Sequence, residues 1–223
     1  MLISRAYHQL TFGIAAAPAS RSVCYVLLPQ GVVPEVGKWA EKASAEFGCN
    51  VVLISGMDWN NDMTPWPADG VMKKEKGFGG GAGVFVKSLL EDYVPNVERW
   101  LKLELPKRYV IGVSLSGLFA LWLLFKTDRF DGLASVSGSL WYDGLVEWAG
   151  RNEPASASRL YLSLGVKEKQ TSDKRMARVE DCTNAIAELL KTGGHDVVFE
   201  MVPGTHFSPM APKLERALAA MMA

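Results

Sequence analysis

The stretch that decides the fold is residues 108–122, which read RYVIGVSLSGLFALW. An apolar, β-branched run is followed by a serine and then at once by a second apolar run with helical composition. Small residues stand two positions before and two positions after Ser114, at Gly112 and Ser116. This order of strand, tight turn and helix is the pattern of a nucleophile elbow, whose strained turn lifts the serine Oγ above the sheet and tolerates only small neighbours.

The neighbouring serine fits the same pattern less well. If Ser116 were the nucleophile, the second small position would fall on Leu118, whose side chain is too large for the turn. The sequence therefore predicts Ser114 as the nucleophile of a serine hydrolase.

Outward from the elbow, short apolar runs alternate with helical patterns along most of the chain. This alternation predicts the α/β class, with a mostly parallel sheet covered by helices on both faces. The runs are nearly all apolar, which is typical of strands that are buried on both faces. A leading strand over residues 7–14, within the first 20 residues, is expected at the sheet edge. The other predicted strands are residues 23–28, 50–55, 108–113, 133–136, 160–164 and 197–202.

Several of the predicted helices have recognisable ends. Pro34 suits the first turn of a helix that ends at Gly48. Asp173 is expected to cap a long helix that runs to about Lys191, and the last helix follows Pro209.

One long segment, residues 56–83, does not show this alternation of strand and helix patterns. It is rich in glycine and carries Trp59 and Trp66, and loops of this length inside compact domains are usually functional. Trp141 lies just beyond the strand at 133–136. Because ligands bind at the carboxyl ends of the strands in such sheets, these three tryptophans are predicted to line the substrate pocket beside an active-site loop.

Length and composition narrow the function classes. With 223 residues, 48% of them hydrophobic, the chain is expected to form one domain over residues 1–223. Its 24 basic residues balance 24 acidic ones, so neither nucleic acid nor a membrane is an expected partner and a small, roughly neutral substrate fits better. The three cysteines lack metal-type spacing and are expected to be reduced thiols of a cytoplasmic protein. The oligomeric state is left open.

The elbow and three other segments resemble a known family. Residues 112–122 look like the elbow of the putative-esterase branch of the α/β-hydrolases, whose members include bacterial esterases that open ferric siderophores. Residues 58–66 (DWNNDMTPW), 135–141 (SVSGSLW) and 204–207 (GTHF) are similar to further family segments. The resemblance spans most of the chain from Ser22 and implies a three-layer α/β-hydrolase fold. Siderophore relatives often carry an arginine where this chain has Asn61, which argues against an anionic, iron-bearing substrate.

The position of His206 marks it as the catalytic base. It follows the last predicted strand and precedes the final helix, which is where this fold places its base. His195 lies in a helix-to-strand turn and His8 in the leading strand, so neither is an equal candidate.

The acid should follow the strand at 160–164, because the triad order in this fold is serine, acid, histidine. Glu168 stands where the acid of the resembled family stands, and its role would be to accept a hydrogen bond from Nδ1 of His206. Asp173 in the same loop remains the alternative, whereas Asp181 falls at a helical position.

Two backbone N–H groups are predicted to form the oxyanion hole. One belongs to Leu115, directly after the nucleophile, and the other to the loop after the strand at 23–28. Pro29 has no N–H to give, which leaves Gln30 as the candidate and Gly31 as its alternative.

The sequence thus predicts a carboxylesterase that acts on small neutral or aromatic esters through an acyl-enzyme and needs no metal or cofactor. A siderophore-type lactone esterase, or another acyl hydrolase or acyltransferase, uses the same chemistry and is the alternative. A non-catalytic binding member of the fold is the further alternative, since fold alone does not prove function. The presence of both Ser114 and His206 favours the enzyme.

Overall fold

Eight strands form one sheet in the computed structural model, which describes residues 1–71, 77–155 and 157–223. Together with a separate pair, the described residues form ten strands: β1 (Leu2–Tyr7), β2 (Leu10–Ala15), β3 (Ser22–Leu27), β4 (Asn50–Ser55), β5 (Pro67–Ala68), β6 (Phe78–Gly79), β7 (Lys107–Val113), β8 (Gly132–Val136), β9 (Arg159–Gly165) and β10 (Val197–Val202). The order across the sheet is β1-β2-β4-β3-β7-β8-β9-β10, and β5 pairs with β6 apart from it.

Helices connect the strands. They are α1 (Val33–Phe47), α2 (Trp59–Asp62), α3 (Ala82–Ser88), α4 (Val94–Leu101), α5 (Leu115–Leu124), α6 (Leu145–Ala149), α7 (Val179–Thr192) and α8 (Met210–Met222). A π-helical turn, Leu89–Tyr93, joins α3 to α4, and a 3₁₀ turn, Met176–Arg178, precedes α7. No helix in the part of the chain that the structure describes has the length and apolar character to cross a membrane.

The sheet is covered on both faces, and the predicted α/β class is confirmed. One buried cluster, which includes Phe119 of α5, joins the sheet to α3 through α7. The other joins the opposite face to α1 and α8, through residues such as Trp39 and Leu218. From β4 through β3 to β10 the neighbours pair in parallel, so their carboxyl ends lie along one edge. That edge carries the elbow.

The predicted leading strand over residues 7–14 is correct in its place at the sheet edge but wrong in its extent. The chain instead forms an antiparallel hairpin of β1 and β2, and His8 lies in its turn with φ 52° rather than inside a strand. β2 pairs with β4, which leaves β1 at the edge. The sequence pattern did not reveal β1, because four of its six residues are exposed and Ser4 and Arg5 interrupt its apolar residues, whereas β2 is largely buried.

The long helix expected from Asp173 begins later than predicted. Oδ1 of Asp173 accepts hydrogen bonds from the N–H groups of Arg175 and Met176, both at 2.9 Å, so the residue does cap a turn. That turn is the 3₁₀ segment, and α7 starts only at Val179. The other predicted helix ends are confirmed, with Gly48 in the left-handed conformation that stops α1.

The segment over residues 56–83 has more regular structure than a simple loop. It contains α2 and the short β5–β6 pair, and its last residues enter α3. Residues 72–76, which belong to the predicted loop, lie outside the described residues.

Candidate active site

Ser114 occupies a strained turn between β7 and α5. Its φ of 58° and ψ of −121° lie where L-residues are rarely found. Its N–H donates to the carbonyl of Val136 at 3.1 Å, and its own carbonyl accepts the N–H of Ser139 at 2.9 Å. The end of β8 and the loop after it therefore hold the strained backbone in place, which is how such conformations persist at functional sites.

The flanking glycine leaves no room for a side chain. A Cβ at Gly112 would lie 1.8 Å from the carbonyl oxygen of Ser116. The expectation that only a small residue fits at this position is therefore confirmed.

Gly112→Ala is expected to lower the free energy of unfolding by about 3 kcal/mol or more, because the backbone of the elbow must move to admit the methyl group. Gly83→Ala is the matched control, since Gly83 is an exposed helical residue with no atom within 4 Å of a new Cβ. The control should be neutral or slightly stabilising. Urea unfolding of both variants measures the difference, and an unchanged midpoint for Gly112→Ala would contradict this packing.

The hydroxyl of Ser116 also forms hydrogen bonds that stabilise the elbow. Its Oγ is fully buried, accepts the N–H of Val113 at 2.7 Å and donates to the carbonyl of Leu27 at 2.7 Å. The hydroxyl thus ties the end of β3 to the elbow. This role was not predicted from the sequence. The signal for it was a serine in place of the usual second glycine, because a hydroxyl can form hydrogen bonds that glycine cannot.

Three side chains from three strand ends meet at the elbow. Nε2 of His206, in the loop between β10 and α8, lies 3.2 Å from Oγ of Ser114. Nδ1 of the same ring lies 3.0 Å from Oε2 of Glu168, in the loop after β9. The arrangement lets one imidazole accept a proton from the serine while its other nitrogen donates to the carboxylate.

Glu168 is deeply buried yet well supplied with donors. Only 3% of its side chain is exposed. Its Oε1 accepts the hydroxyl of Ser137 at 2.7 Å and the N–H of Gly165 at 2.8 Å. Burial raises the pKa of Glu168, but the hydrogen bonds from His206, Ser137 and Gly165 outweigh it, and the pKa lies below its usual value. The residue therefore faces His206 as a carboxylate at neutral pH.

The alternative acids lie elsewhere. Asp173 uses its carboxylate to cap the 3₁₀ turn. Asp181 is an exposed residue of α7. Of the carboxylates considered from the sequence, the structure brings Glu168 to the imidazole of His206.

A cavity of about 280 Å³ opens beside Ser114 and His206. Its walls are mostly apolar or aromatic, and Phe207 is 93% exposed next to the imidazole. Of the described residues that line it, Glu35 is the one carboxylate, and none is lysine or arginine. Besides Ser114 and His206, the lining residues are Pro29, Glu35, Trp59, Val113, Phe207, Ser208 and Met210.

Of the three tryptophans predicted to line the pocket, the structure places Trp59 on this cavity, in α2 rather than in a loop. Trp66 packs against Trp148, and its Nε1 donates to the carbonyl of Asp143 at 3.0 Å. Trp141 is 5% exposed and lies beside Phe78. The prediction for Trp66 and Trp141 is corrected, because both rings pack the segment over residues 56–83 against the chain that follows β8.

Asn61, which stands where siderophore relatives often carry arginine, serves the packing of its own loop. Its Nδ2 donates to Oδ1 of Asp62 at 3.0 Å. A Cβ at Gly79 would lie 2.2 Å from its Oδ1, and one at Gly81 would lie 2.3 Å from its Nδ2. The amide therefore fills space that the two glycines leave open.

The predicted oxyanion donors lie on the correct side of the sheet. Leu115 is the first residue of α5, so its N–H has no carbonyl partner within the helix. Gln30 follows Pro29, which lines the cavity, and Gly31 comes next with φ 87°. Their role in the oxyanion hole stays a prediction.

The part of the chain that the structure describes contains no group of three or more His, Cys, Asp or Glu side chains arranged to hold a metal ion. Cys24 and Cys49 are buried free thiols, and Cys182 is a half-buried one.

Comparison with known proteins covers most of the chain. The sequence model of the family described as Putative esterase matches residues 35–221. The uncharacterized protein YbbA of Bacillus subtilis (strain 168) is 29% identical over 154 residues, which cover 64% of this chain and 60% of that protein. The match thus spans less than two thirds of the length of this curated relative.

Solved structures share the fold over nearly the whole chain. Siderophore hydrolase EstA from Aspergillus nidulans has a TM-score of 0.75 at 20% identity, covering 100% of this chain and 93% of that one. An IroE-like serine hydrolase from Shewanella oneidensis has a TM-score of 0.77 at 18% identity, covering 98% and 78%. Likeness at this level of identity establishes a common α/β-hydrolase fold, which confirms the predicted architecture.

Proposed function

Because the chain belongs to the Putative esterase family of the α/β-hydrolases, we propose that it is a serine hydrolase that cleaves carboxylic esters through an acyl-enzyme on Ser114. The observation that carries the proposal is the hydrogen-bonded series from Ser114 through His206 to Glu168, at 3.2 and 3.0 Å. Each member comes from a different strand end at the carboxyl edge of the sheet.

In the first half of the reaction, Oγ of Ser114 attacks the ester carbonyl carbon while Nε2 of His206 accepts the hydroxyl proton. Glu168 accepts the Nδ1–H bond, which fixes the tautomer and stabilises the imidazolium. The N–H groups of Leu115 and Gln30 stabilise the oxyanion of the tetrahedral intermediate. The intermediate collapses when the alcohol leaves with the proton that His206 returns.

The second half repeats these steps with water. His206 accepts a proton from water, the resulting nucleophile attacks the acyl carbon, and the collapse of the new intermediate returns the proton to Oγ of Ser114. The carboxylic acid product then leaves. Every proton moves through one imidazole, so the mechanism needs only the groups already described.

The cavity supports small neutral or aromatic esters as substrates. Its volume of about 280 Å³ suits a short acyl or alcohol group, and Trp59 and Phe207 offer aromatic surface. Glu35 at the wall repels anions, and no basic side chain among the described lining residues offsets it. The siderophore hydrolase EstA has a similar fold, but an anionic ferric complex is a poor match for this lining.

A pair of esters that share one leaving group tests the substrate proposal. The protein should hydrolyse p-nitrophenyl butyrate with a higher kcat/KM than the negatively charged p-nitrophenyl hemisuccinate. Glu35→Gln should raise kcat/KM for the hemisuccinate by roughly two- to ten-fold, because it removes an exposed negative charge near the acyl group, and should leave the butyrate value nearly unchanged. Glu46→Gln, at the far end of the same helix, is the control and should alter neither value.

Three outcomes would redirect the proposal. A marked preference for ferric catecholate lactones over p-nitrophenyl butyrate would support the siderophore-type esterase. Transfer of the acyl group to an added alcohol faster than to water would support an acyltransferase. A folded protein that turns over no ester in the panel would support the non-catalytic binding member.

A further inference from the structure

We propose that Lys213 is a positioning residue of the active site, which holds Glu168 and the His206 loop in their working arrangement through Ser137. The inference rests on the proposed function. Sequence reasoning did not single out this lysine.

Lys213 lies on the buried face of α8, where the neighbouring buried residues Leu214, Ala217 and Leu218 are apolar. Its side chain is 7% exposed. Burial of an ammonium group is costly unless the charge is paired and all its protons are bound. A lysine on this face is therefore costly compared with an apolar side chain, and this cost must be offset by interactions that only the ammonium group can make.

All three ammonium protons have acceptors at the site. Nζ donates to Oγ of Ser137 at 3.0 Å, to the carbonyl of Thr205 at 2.9 Å and to the carbonyl of His206 at 3.3 Å. It also lies 3.8 Å from Oε1 of Glu168. One charge thus links the end of β8, the acid loop after β9 and the histidine loop after β10.

The ammonium group determines which group donates and which accepts in each hydrogen bond of this network. An ammonium group has no acceptor, so Ser137 accepts from Lys213 and must give its own proton to Oε1 of Glu168, at 2.7 Å. This leaves Oε2 for Nδ1 of His206. Ser137 has φ 47°, a strained conformation, and its N–H donates to the carbonyl of Ser163 at 2.8 Å, which anchors it to β9.

The charged groups around α8 show which of them interact with Lys213. Among the described residues, the titratable side chain that faces Nζ is Glu168, at 3.8 Å, whereas the histidine loop meets Nζ through the backbone carbonyl of His206. The exposed Arg216 of α8 pairs with Glu200 of β10. Lys42 of α1 pairs with the exposed Glu215.

Loss of the lysine should therefore lower kcat, because the imidazole and the carboxylate lose a common anchor and the proton acceptor is held less well. KM should change much less, because Lys213 is not among the residues that line the cavity beside Ser114. A lysine that served only to fold the chain would not separate kcat from KM in this way.

The test compares Lys213→Met with Arg216→Gln in the full chain, using p-nitrophenyl butyrate at pH 7.5. Lys213→Met should lower kcat about ten-fold or more, with a much smaller change in KM. Arg216→Gln removes a positive charge one turn away and should behave as the wild type. A wild-type kcat in folded Lys213→Met, or a KM that rises as much as kcat falls, would overturn the proposal.

A double variant checks that Lys213 acts through Glu168. In a Glu168→Gln background, Lys213→Met should reduce kcat/KM by a smaller factor than in the wild type, because the part of its effect that depends on Glu168 is already lost. Losses that multiply would also overturn the proposal. Should Lys213→Met fail to fold, Lys213→Gln replaces it in both tests, since its amide can still donate to a loop carbonyl but carries no charge. Absence of turnover in the wild type would instead be a failure of the proposed function.

Discussion

Ser114→Ala is expected to reduce ester turnover by about four orders of magnitude or more, because the acyl-enzyme has no other oxygen on which to form. The strained backbone stays in place, since the N–H and carbonyl of Ser114 are held by Val136 and Ser139 and not by its side chain. Alanine adds no bulk to the turn. The fold should therefore survive, and circular dichroism and the thermal midpoint check that it does.

Ser116→Ala is the matched control, because it removes a hydroxyl from the same elbow. That hydroxyl contacts Val113 and Leu27, not the imidazole. Its loss should lower the free energy of unfolding by about 1 to 3 kcal/mol, since it leaves a buried donor and a buried acceptor without this partner. Turnover of the folded control should fall far less than in Ser114→Ala. Equal turnover in wild type and folded Ser114→Ala would remove Ser114 from the mechanism.

Glu168→Gln is expected to lower kcat by roughly 10² to 10⁴, because a neutral amide neither stabilises the imidazolium nor enforces the required tautomer. The low pKa of Glu168 means that the substitution removes a full negative charge at neutral pH. Asp173→Asn should be mild, because the amide oxygen of asparagine can still accept the N–H groups of Arg175 and Met176. Steady-state kinetics on both variants at pH 7.5 make the comparison. A severe Asp173→Asn beside a mild Glu168→Gln would show that the acid is misassigned.

Most of the sheet could be predicted from the sequence, because most of its strands are short apolar runs bounded by turns. Two of the six strands predicted after the leading one, Asn50–Ser55 and Val197–Val202, have the same bounds in the structure. The prediction that Val197–Val202 is buried on both faces is wrong, because it is the last strand at the sheet edge and is half-exposed. The edge hairpin could not be predicted in the same way. β1 carries exposed polar residues, and only its pairing with β2 defines it as a strand.

Some residues of the site could be predicted from the sequence and others could not. The elbow and the histidine loop are local patterns with fixed places in the fold, so Ser114 and His206 could be proposed from the sequence. The choice between Glu168 and Asp173 depends on which carboxylate turns toward the imidazole, and both follow the same strand. Lys213 could not be recognised, because a lysine within an amphipathic helix has the sequence signature of an exposed residue, and its burial arises only when α8 packs on the sheet.

The position of a covalent adduct tests the assignment of Ser114 as the nucleophile. The folded protein is treated with a fluorophosphonate probe, which reacts with activated serines, then digested and mapped by tandem mass spectrometry. We predict one adduct, on the peptide that carries Ser114, and none in Ser114→Ala treated in parallel. An adduct on another serine, or no adduct on a folded wild-type protein, would show that Ser114 is not the activated nucleophile.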